Sequence, residues 1–239
     1  MSNQADTVLT VISPEYFPRI STLARVQAAD VVIWADTFLF SKQTTMNRTR
    51  IKTVTGPEWL TVPVMHQGKT RYHDVEIDPE HCWRHNHSRT LQVNYMNSPY
   101  YFFLKPELDA LIEKRRRHLA SLTFSSFLFL CEKMRIRPEI VKGSDCPPVS
   151  ERSRRVCTWL ETWGCGTYLV DADDLCFIDS DYIIRQGYSV SEFSGSSPVY
   201  PQVFEHFYPN LSGLDMLFNT GEQSRSLLKK SFQTVPVAP

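Results

Sequence analysis

The stretch "TVLTVISPEYFPRISTLARVQAADVVIW", residues 7–34, carries the reading of the fold. Its first part, "TVLTVIS" (7–13), is rich in β-branched and apolar residues and stops at Pro14, as a buried strand would. "RISTLARVQAAD" then sets Ile20, Leu23, Ala24 and Ala28 at helical spacing, and "VVIW" (31–34) is a second apolar strand. Strand, helix and strand joined by short links make a βαβ unit, which calls for a parallel sheet with helices on its faces.

Outward from this unit, "EWLTVPVM" (58–65) and "HDVEI" (73–77) read as further strands around the turn "HQGKT". From Pro79 the pattern becomes helical. "PEHCWRHNHSRTLQVNYM" is one helical stretch, and "KPELDALIEKRRRHLASLTFSSFLFLCEKM" is a second, with Pro106, Glu107 and Asp109 in its first turn. Within it, "RRRH" (115–118) reads as a solvated helix face. "PEIVKGSD" (138–145) is a strand leaving into a turn, and "SERSRRVCTWLETWG" a helix from an N-cap at Ser150 to Gly164. "TYLVDA" (167–172) is a strand, "DSDYIIRQG" a short helix and "YSVSEF" (188–193) a last strand. Two helices, "NLSGLDMLFNTG" and "EQSRSLLKKSF", precede a loose end, "QTVPVAP". The chain shows no repeat and no linker. The expectation is one α/β domain over residues 1–239, a mostly parallel doubly wound sheet with a helical insertion at about 79–135.

Lys and Arg number 26, as do Asp and Glu, which argues against a polyanion-binding surface built on net charge and so against nucleic acid as partner. The cysteines at 82, 131, 146, 157, 165 and 176 form no CxxC pair, and the start "MSNQADTVLTVIS" lacks the basic and apolar signature of a secretion signal. Reduced thiols in a cytoplasmic protein follow. "LTFSSFLFLC" (122–131) is too short and too polar to span a bilayer, so no membrane is expected.

Two segments concentrate polar chemistry. In "MNRTRIK" (46–52), Arg48, Arg50 and Lys52 alternate, so an extended strand would show all three on one face and Asn47, Thr49 and Ile51 on the other. Paired guanidiniums suit bidentate capture of carboxylate or phosphate, and a solvated strand face is the plainer alternative. "WADTFLFSK" (34–42) places Asp36 just past the second strand, with Lys42 shortly before the cationic run. Ligands of parallel α/β sheets bind outside the carboxyl ends of the strands, so this acid and these cations make a polar pocket or, more blandly, surface scatter.

Other motifs weigh less. In "HCWRHNH" (81–87), His81 and His85 sit four apart, but Cys82 or His87 could complete a zinc site only if the helix ended between them. An exposed polar helix is the better reading, and no metal is expected. Cys165, flanked by glycines, fits a helix-end turn, and there is no GxSxG, GxGxxG or GxxxxGK[ST]. A nucleotide is unsupported and the cofactor is unknown.

Taken together, "ISPEYFP" (12–18), "DTFLFSKQTTMNRTRIK" (36–52), "EWLTVPV" (58–64), "WRHNHSRTLQVNY" (83–95) and "PVYPQVFEHFYPNLSGLDMLFNTG" (198–221) resemble the WbqC-like family, in order, from about Val8 to Leu228. These are bacterial proteins associated with O-antigen gene clusters, proposed to include a glycine transferase acting on an amino sugar. The resemblance implies a domain core at about 8–228. It also implies functional positions at Tyr16, Asp36, Lys42, Asn47, Arg48, Arg50, Lys52, Trp59, Trp83, His87, Asn94, Tyr95, Tyr200, Gln202, Asn210, Asp215 and Asn219. Three departures stand out: Ile12 and Ser13 replace the His and Gln of the family's "HQPxYxP" start, Ala35 and Asp36 replace a paired acid, and "VDADDLCFIDSDY" replaces a Gly-rich turn.

The resulting expectation is an acyl or aminoacyl (glycine-type) transferase acting on an amino group of a sugar or specialised metabolite. The cations would hold the substrate's phosphate or carboxylate, and Asp36 and His87 would serve the attacking amine, His87 as general base in place of the lost histidine. An acyl donor or carrier protein would be the partner. An ATP-dependent adenylating amide ligase and a non-catalytic binding or scaffold protein are the alternatives, the latter favoured by Ile12.

Overall fold

The computed structural model describes residues 7–42, 44–65, 68–80 and 82–237. The opening unit forms as read: β1 (Val8–Ile12), α1 (Ile20–Gln27) and β2 (Val31–Trp34), with β1 and β2 parallel and Leu9 opposite Val31. A long excursion follows, through β3 (Arg48–Thr53), β4 (Gly56–Thr61), β5 (Val64–Met65), β6 (Glu76–Ile77) and the helices α2 (Trp83–Tyr95), α3 (Tyr101–Glu113) and α4 (Leu119–Lys133). The chain then re-enters the sheet with β7 (Glu139–Lys142), α5 (Arg152–Thr162), β8 (Thr167–Asp171), α6 (Ala172–Leu175), α7 (Ser180–Arg185) and β9 (Ser189–Gly195). It ends with α8 (Gly213–Thr220), α9 (Ser224–Ser231) and β10 (Phe232–Pro236).

The main sheet has the spatial order β10-β9-β8-β1-β2-β7 and is parallel except for β10. From β1 the chain winds outward through β2 to β7, then crosses back to β8 and winds the other way to β9. The protein is therefore a doubly wound α/β fold whose order reverses between β1 and β8. Both faces are covered, as the apolar strands require. Leu9, Val31, Ile33, Tyr168 and Val190 share one core with Val156, Trp159 and Leu160 of α5 and Ile183 of α7. Ile12, Val32, Trp34, Leu169 and Phe193 join the other, with Ile20 and Leu23 of α1, Leu130 of α4 and Leu214 of α8. The alternation along each strand is the period-two signature of the pleat.

Five local expectations are corrected. The tail read as loose supplies β10, antiparallel to β9, with Phe232 stacked on Phe193; its Pro236 is tolerated because this is an edge strand. The second helical stretch is two helices, with Pro106 inside α3 rather than in its first turn. Residues 115–118 are the link between α3 and α4, drawn out along β5–β6, where the Arg117 carbonyl accepts from Ile77 N–H and His118 bridges Glu76. The N-cap of α5 is Glu151, whose carboxylate accepts from the Ser153 and Arg154 N–H groups, and not Ser150. The strands read at 58–65 and 73–77 form only in part: 58–65 is split between β4 and β5, and Tyr72–Asp74 make a 3-10 turn before the two-residue β6. With β3 they build two hairpin ladders, β3–β4 and β5–β6, outside the main sheet. No helix among the described residues is long and apolar enough to cross a membrane.

Candidate functional site

β1 ends at the reversal point, where Ile12 turns into the core and Ser13 is exposed. A cavity of about 220 Å³ opens there, its lining including Ser13, Phe38, Arg152, Arg155, Trp159 and the carboxylate Asp174. It shares Phe38, Arg152, Arg155 and Trp159 with a larger cleft of about 1050 Å³ that reaches Thr37, Arg71, Gly143 and Ser144. Three arginines and no carboxylate line that larger cleft. Its walls include the segments that follow the carboxyl ends of β2 and β7 together with α5, on the side a doubly wound sheet presents to ligands.

Asp36 lies directly behind this wall and is almost fully buried. One carboxylate oxygen accepts from Ser144 N–H and the other from Ser144 Oγ–H, both at 2.8 Å. The contact joins the end of β2 to the turn after β7, and Gly143 permits it. A Cβ at Gly143 would lie 3.2 Å from Asp36 Oδ1 and 3.3 Å from the Ala35 Cα. Ser144 is itself exposed, so the cleft meets a hydroxyl that is anchored from behind by a carboxylate.

Arg152 and Arg155 are one turn apart on α5 and share a face. Arg152 sits 5.1 Å over Phe177, while Arg155 lies 5.4 Å from the Trp159 ring and 5.8 Å from Phe38. The Arg155 Nε is buried and has no hydrogen-bond partner among the described residues. Burial first, and then the charge of Arg152, lower the Arg155 pKa. Glu151 opposes that lowering and Asp174 lines the smaller cavity, but Arg155 makes no salt bridge among the described residues, so a bound anion would stabilise this half-buried cation.

The residues singled out from the sequence fall into distinct places. Arg48, Arg50 and Lys52 do share one face of β3, but not one environment. Arg48 lies 4.2 Å and Arg50 5.7 Å from the ring of the exposed Trp59, Arg50's cross-strand neighbour on β4. Lys52 is buried. Its Nζ donates to the carbonyls of Phe204 (3.2 Å) and His206 (2.5 Å), two residues with positive φ. Beside it, Asp215 accepts from Tyr95 (2.7 Å) and Tyr200 (2.6 Å), while Gln202 donates to Tyr200 and to the Tyr208 carbonyl. Burial raises the Asp215 pKa, and the tyrosine hydrogen bonds and Lys52 oppose that rise.

Asn219 donates to the Asp215 carbonyl, and Asn210 Oδ1 accepts from Ser21 N–H at the start of α1. Asn47 donates to the Val62 carbonyl and Asn94 to that of Thr90. Trp83 is buried and Lys42 exposed.

His87 is buried, its Nδ1 3.1 Å from the Tyr16 hydroxyl and its Nε2 3.2 Å from the Thr61 carbonyl. That carbonyl can only accept, which puts the proton on Nε2 and makes Tyr16 the donor to Nδ1. Burial lowers the His87 pKa to about 4, so the near-neutral titration expected of it is not found. No hydrogen bond joins His87 to Asp36 among the described residues. Of the metal candidates, His81 lies outside the described residues, and among those described no three His, Cys, Asp or Glu side chains cluster as ligands.

Ser144, Arg152 and Arg155 were missed from the sequence. Their signal was there: "GSD" follows a strand, and "RSRR" opens the next helix with cations one turn apart.

The WbqC-like protein family model matches residues 13–227. An uncharacterized protein of Mycobacterium tuberculosis is 24% identical over 227 residues, covering 92% of this chain and 97% of that protein. No solved structure matches the chain significantly.

Proposed function

The chain belongs to the WbqC-like protein family, and from that premise we propose that it is an acyl or aminoacyl transferase acting on an amine of a small anionic metabolite, such as an amino sugar carrying a phosphate. The observation that carries this reading is Arg155, whose buried Nε is without a hydrogen-bond partner at the wall of the switch-point cleft. With Arg152 it would hold the anion, as guanidinium pairs do. Met46, two residues before Arg48 in sequence, lines the cleft, and Arg48, Arg50 and Trp59 on the following hairpin would take the sugar ring.

In the transfer, the amine nitrogen attacks the acyl carbonyl carbon, and the tetrahedral oxyanion collapses with loss of the thiolate or phosphate leaving group. The amine's surplus proton passes to Ser144 Oγ while the Ser144 proton passes to Asp36. Tyr16 and His87, which lie by Arg84 and Arg116, would be structural rather than the base, since both imidazole nitrogens are engaged. The buried network of Lys52, Tyr95, Tyr200, Gln202, Asp215 and Asn219 would hold the 200–210 loop in place, and Asn210 would tie that loop to α1.

A second reading, a binding protein of the same pathway, is favoured by Ile12, which is 1% exposed at the position where the resemblance expects histidine. Mass-spectrometric assay of amino-sugar nucleotides with acyl or glycyl thioesters, and separately with glycine and ATP, tests these readings. An amide product with thioester alone, lost in Arg155→Gln, is the expected result. A product only with ATP would make the protein an amide ligase, and saturable binding with no product would make it a binding protein.

A further inference from the structure

A cleft of about 720 Å³, sharing no lining residue with the switch-point clefts, lies between the start of α2 and the link from α3 to α4. Arg84 and Ser88 sit one turn apart on α2, and both line it. The Arg84 Nε and the Ser88 Oγ are buried without a hydrogen-bond partner among the described residues. Arg116 faces them from the link. It is held in place by its donations to the Leu111 carbonyl at 2.7 Å and to the Lys114 carbonyl at 3.1 Å, which cap the end of α3. Arg115 is exposed at the rim.

Glu76, Glu80 and Glu113 also line the cleft, but Glu76 is paired with Arg117, and among the described residues no salt bridge joins Glu80 or Glu113 to Arg84, Arg115 or Arg116. These three guanidiniums also act on one another: after burial, the charge of Arg115 lowers the Arg84 pKa, and that of Arg84 lowers the Arg116 pKa. Like charges that outnumber the cleft's other two carboxylates and make no ion pair with them, around two unpartnered polar atoms, cost stability. A bound oxyanion would relieve both penalties at once.

We infer that this cleft is a second anion site, separate from the switch point, and that it takes the phosphate or diphosphate of a small molecule. Arg84 and Arg115 supply a fork of planar donors, and Ser88 a hydroxyl that donates to a phosphate oxygen. A tetrahedral, multiply charged group fits such a donor set better than a single carboxylate.

Isothermal titration of the whole protein with pyrophosphate, and separately with UDP, tests the inference. Saturable binding at this cleft is expected to persist when Arg152 and Arg155 are both replaced by Gln, to weaken as salt rises, and to fall tenfold or more in Arg84→Gln and in Arg115→Ser and severalfold in Ser88→Ala. Tighter binding of UDP than of pyrophosphate would show the phosphate to be part of a nucleotide, and equal binding would point to the phosphate alone. Arg116 is left intact because it caps α3. If Arg84→Gln unfolds the protein, the exposed Arg115→Ser carries the test. Absence of saturable binding with either probe overturns the inference. So does binding that is abolished by Arg152→Gln with Arg155→Gln yet untouched by Arg84→Gln and Arg115→Ser, because the anion would then sit at the switch point. That last result would leave the proposed transferase site standing.

Discussion

The Tyr16 hydroxyl donates to His87 Nδ1 across 3.1 Å, and this bond ties the segment after β1 to the middle of α2. The pair is buried and sits against Trp83, with Tyr16 edge-on to the indole. Its pH behaviour is therefore a stability signal. The His87 pKa is lowered in the fold, from 6.5 to about 4. In the unfolded chain the imidazole takes up a proton near 6.5, while in the fold it resists until about 4. Stability is thus fully present above pH 6.5 and lost as pH falls towards 4, by up to about 1.4 kcal/mol per pH unit. Urea melts at pH 7.5 and pH 5 should show that loss in the wild type and a smaller one in His87→Gln. Equal pH dependence in the two proteins would refute the assignment.

Lys52 is the next test, because it looked like a ligand-directed cation and lies in a buried network. Lys52→Met removes two hydrogen bonds to carbonyls and a cation near Asp215. A loss of about 2–4 kcal/mol is expected, the range for charged hydrogen bonds whose buried partners are left behind. Combining it with Asp215→Asn should cost less than the sum of the single changes. A Lys52→Met protein within about 0.5 kcal/mol of the wild type in denaturant melts would count against a structural role, since changes of that size are typical of surface sites.

How far the sequence could be read follows from where each signal is local. The strands "TVLTVIS" and "VVIW" and the helix between them carry their period in consecutive residues, so the parallel doubly wound sheet was legible. The tail at 232–236 was not, because an edge strand with a proline gains its pairing from β9, more than thirty residues away. The alternation of Arg48, Arg50 and Lys52 was legible as geometry. What it did not reveal was that the Phe204 and His206 carbonyls would close over Lys52 alone. Asp36 was placed at the strand edge from sequence, yet its partner Ser144 is 108 residues on, and only the β2–β7 pairing brings them together.

Arg50 and Trp59 offer a test free of folding complications. Both are exposed on the β3–β4 hairpin, so Arg50→Ala should change stability by no more than about 0.5 kcal/mol. If this face takes the substrate's sugar ring, Trp59→Ala raises KM several-fold and leaves kcat nearly unchanged, the mark of binding lost equally in ground and transition states. An unaltered KM in both variants would remove the hairpin from the site.

The Asp36–Ser144 contact gives the sharpest test of the proposed chemistry, because it can be disturbed from two directions. Ser144→Ala deletes the hydroxyl but keeps the backbone N–H on Asp36 Oδ1. The side chain is exposed, so the fold should lose about 1 kcal/mol or less, the net worth of one hydrogen bond. Turnover should fall by about a hundredfold or more if that hydroxyl carries the amine's proton to Asp36, the scale of general acid–base catalysis. Gly143→Ala approaches the same contact from behind. Its Cβ would stand 3.2 Å from Asp36 Oδ1 and 3.3 Å from both the Ala35 Cα and Thr37 Oγ1, so the ends of β2 and β7 must part by a few tenths of an ångström. That shift should weaken turnover while anion binding at Arg152 and Arg155, on another element, stays close to that of the wild type. Steady-state kinetics and anion titration on the two variants check both halves. Should Ser144→Ala and Gly143→Ala turn over substrate at the wild-type rate, the proton follows another route, and the cleft only binds.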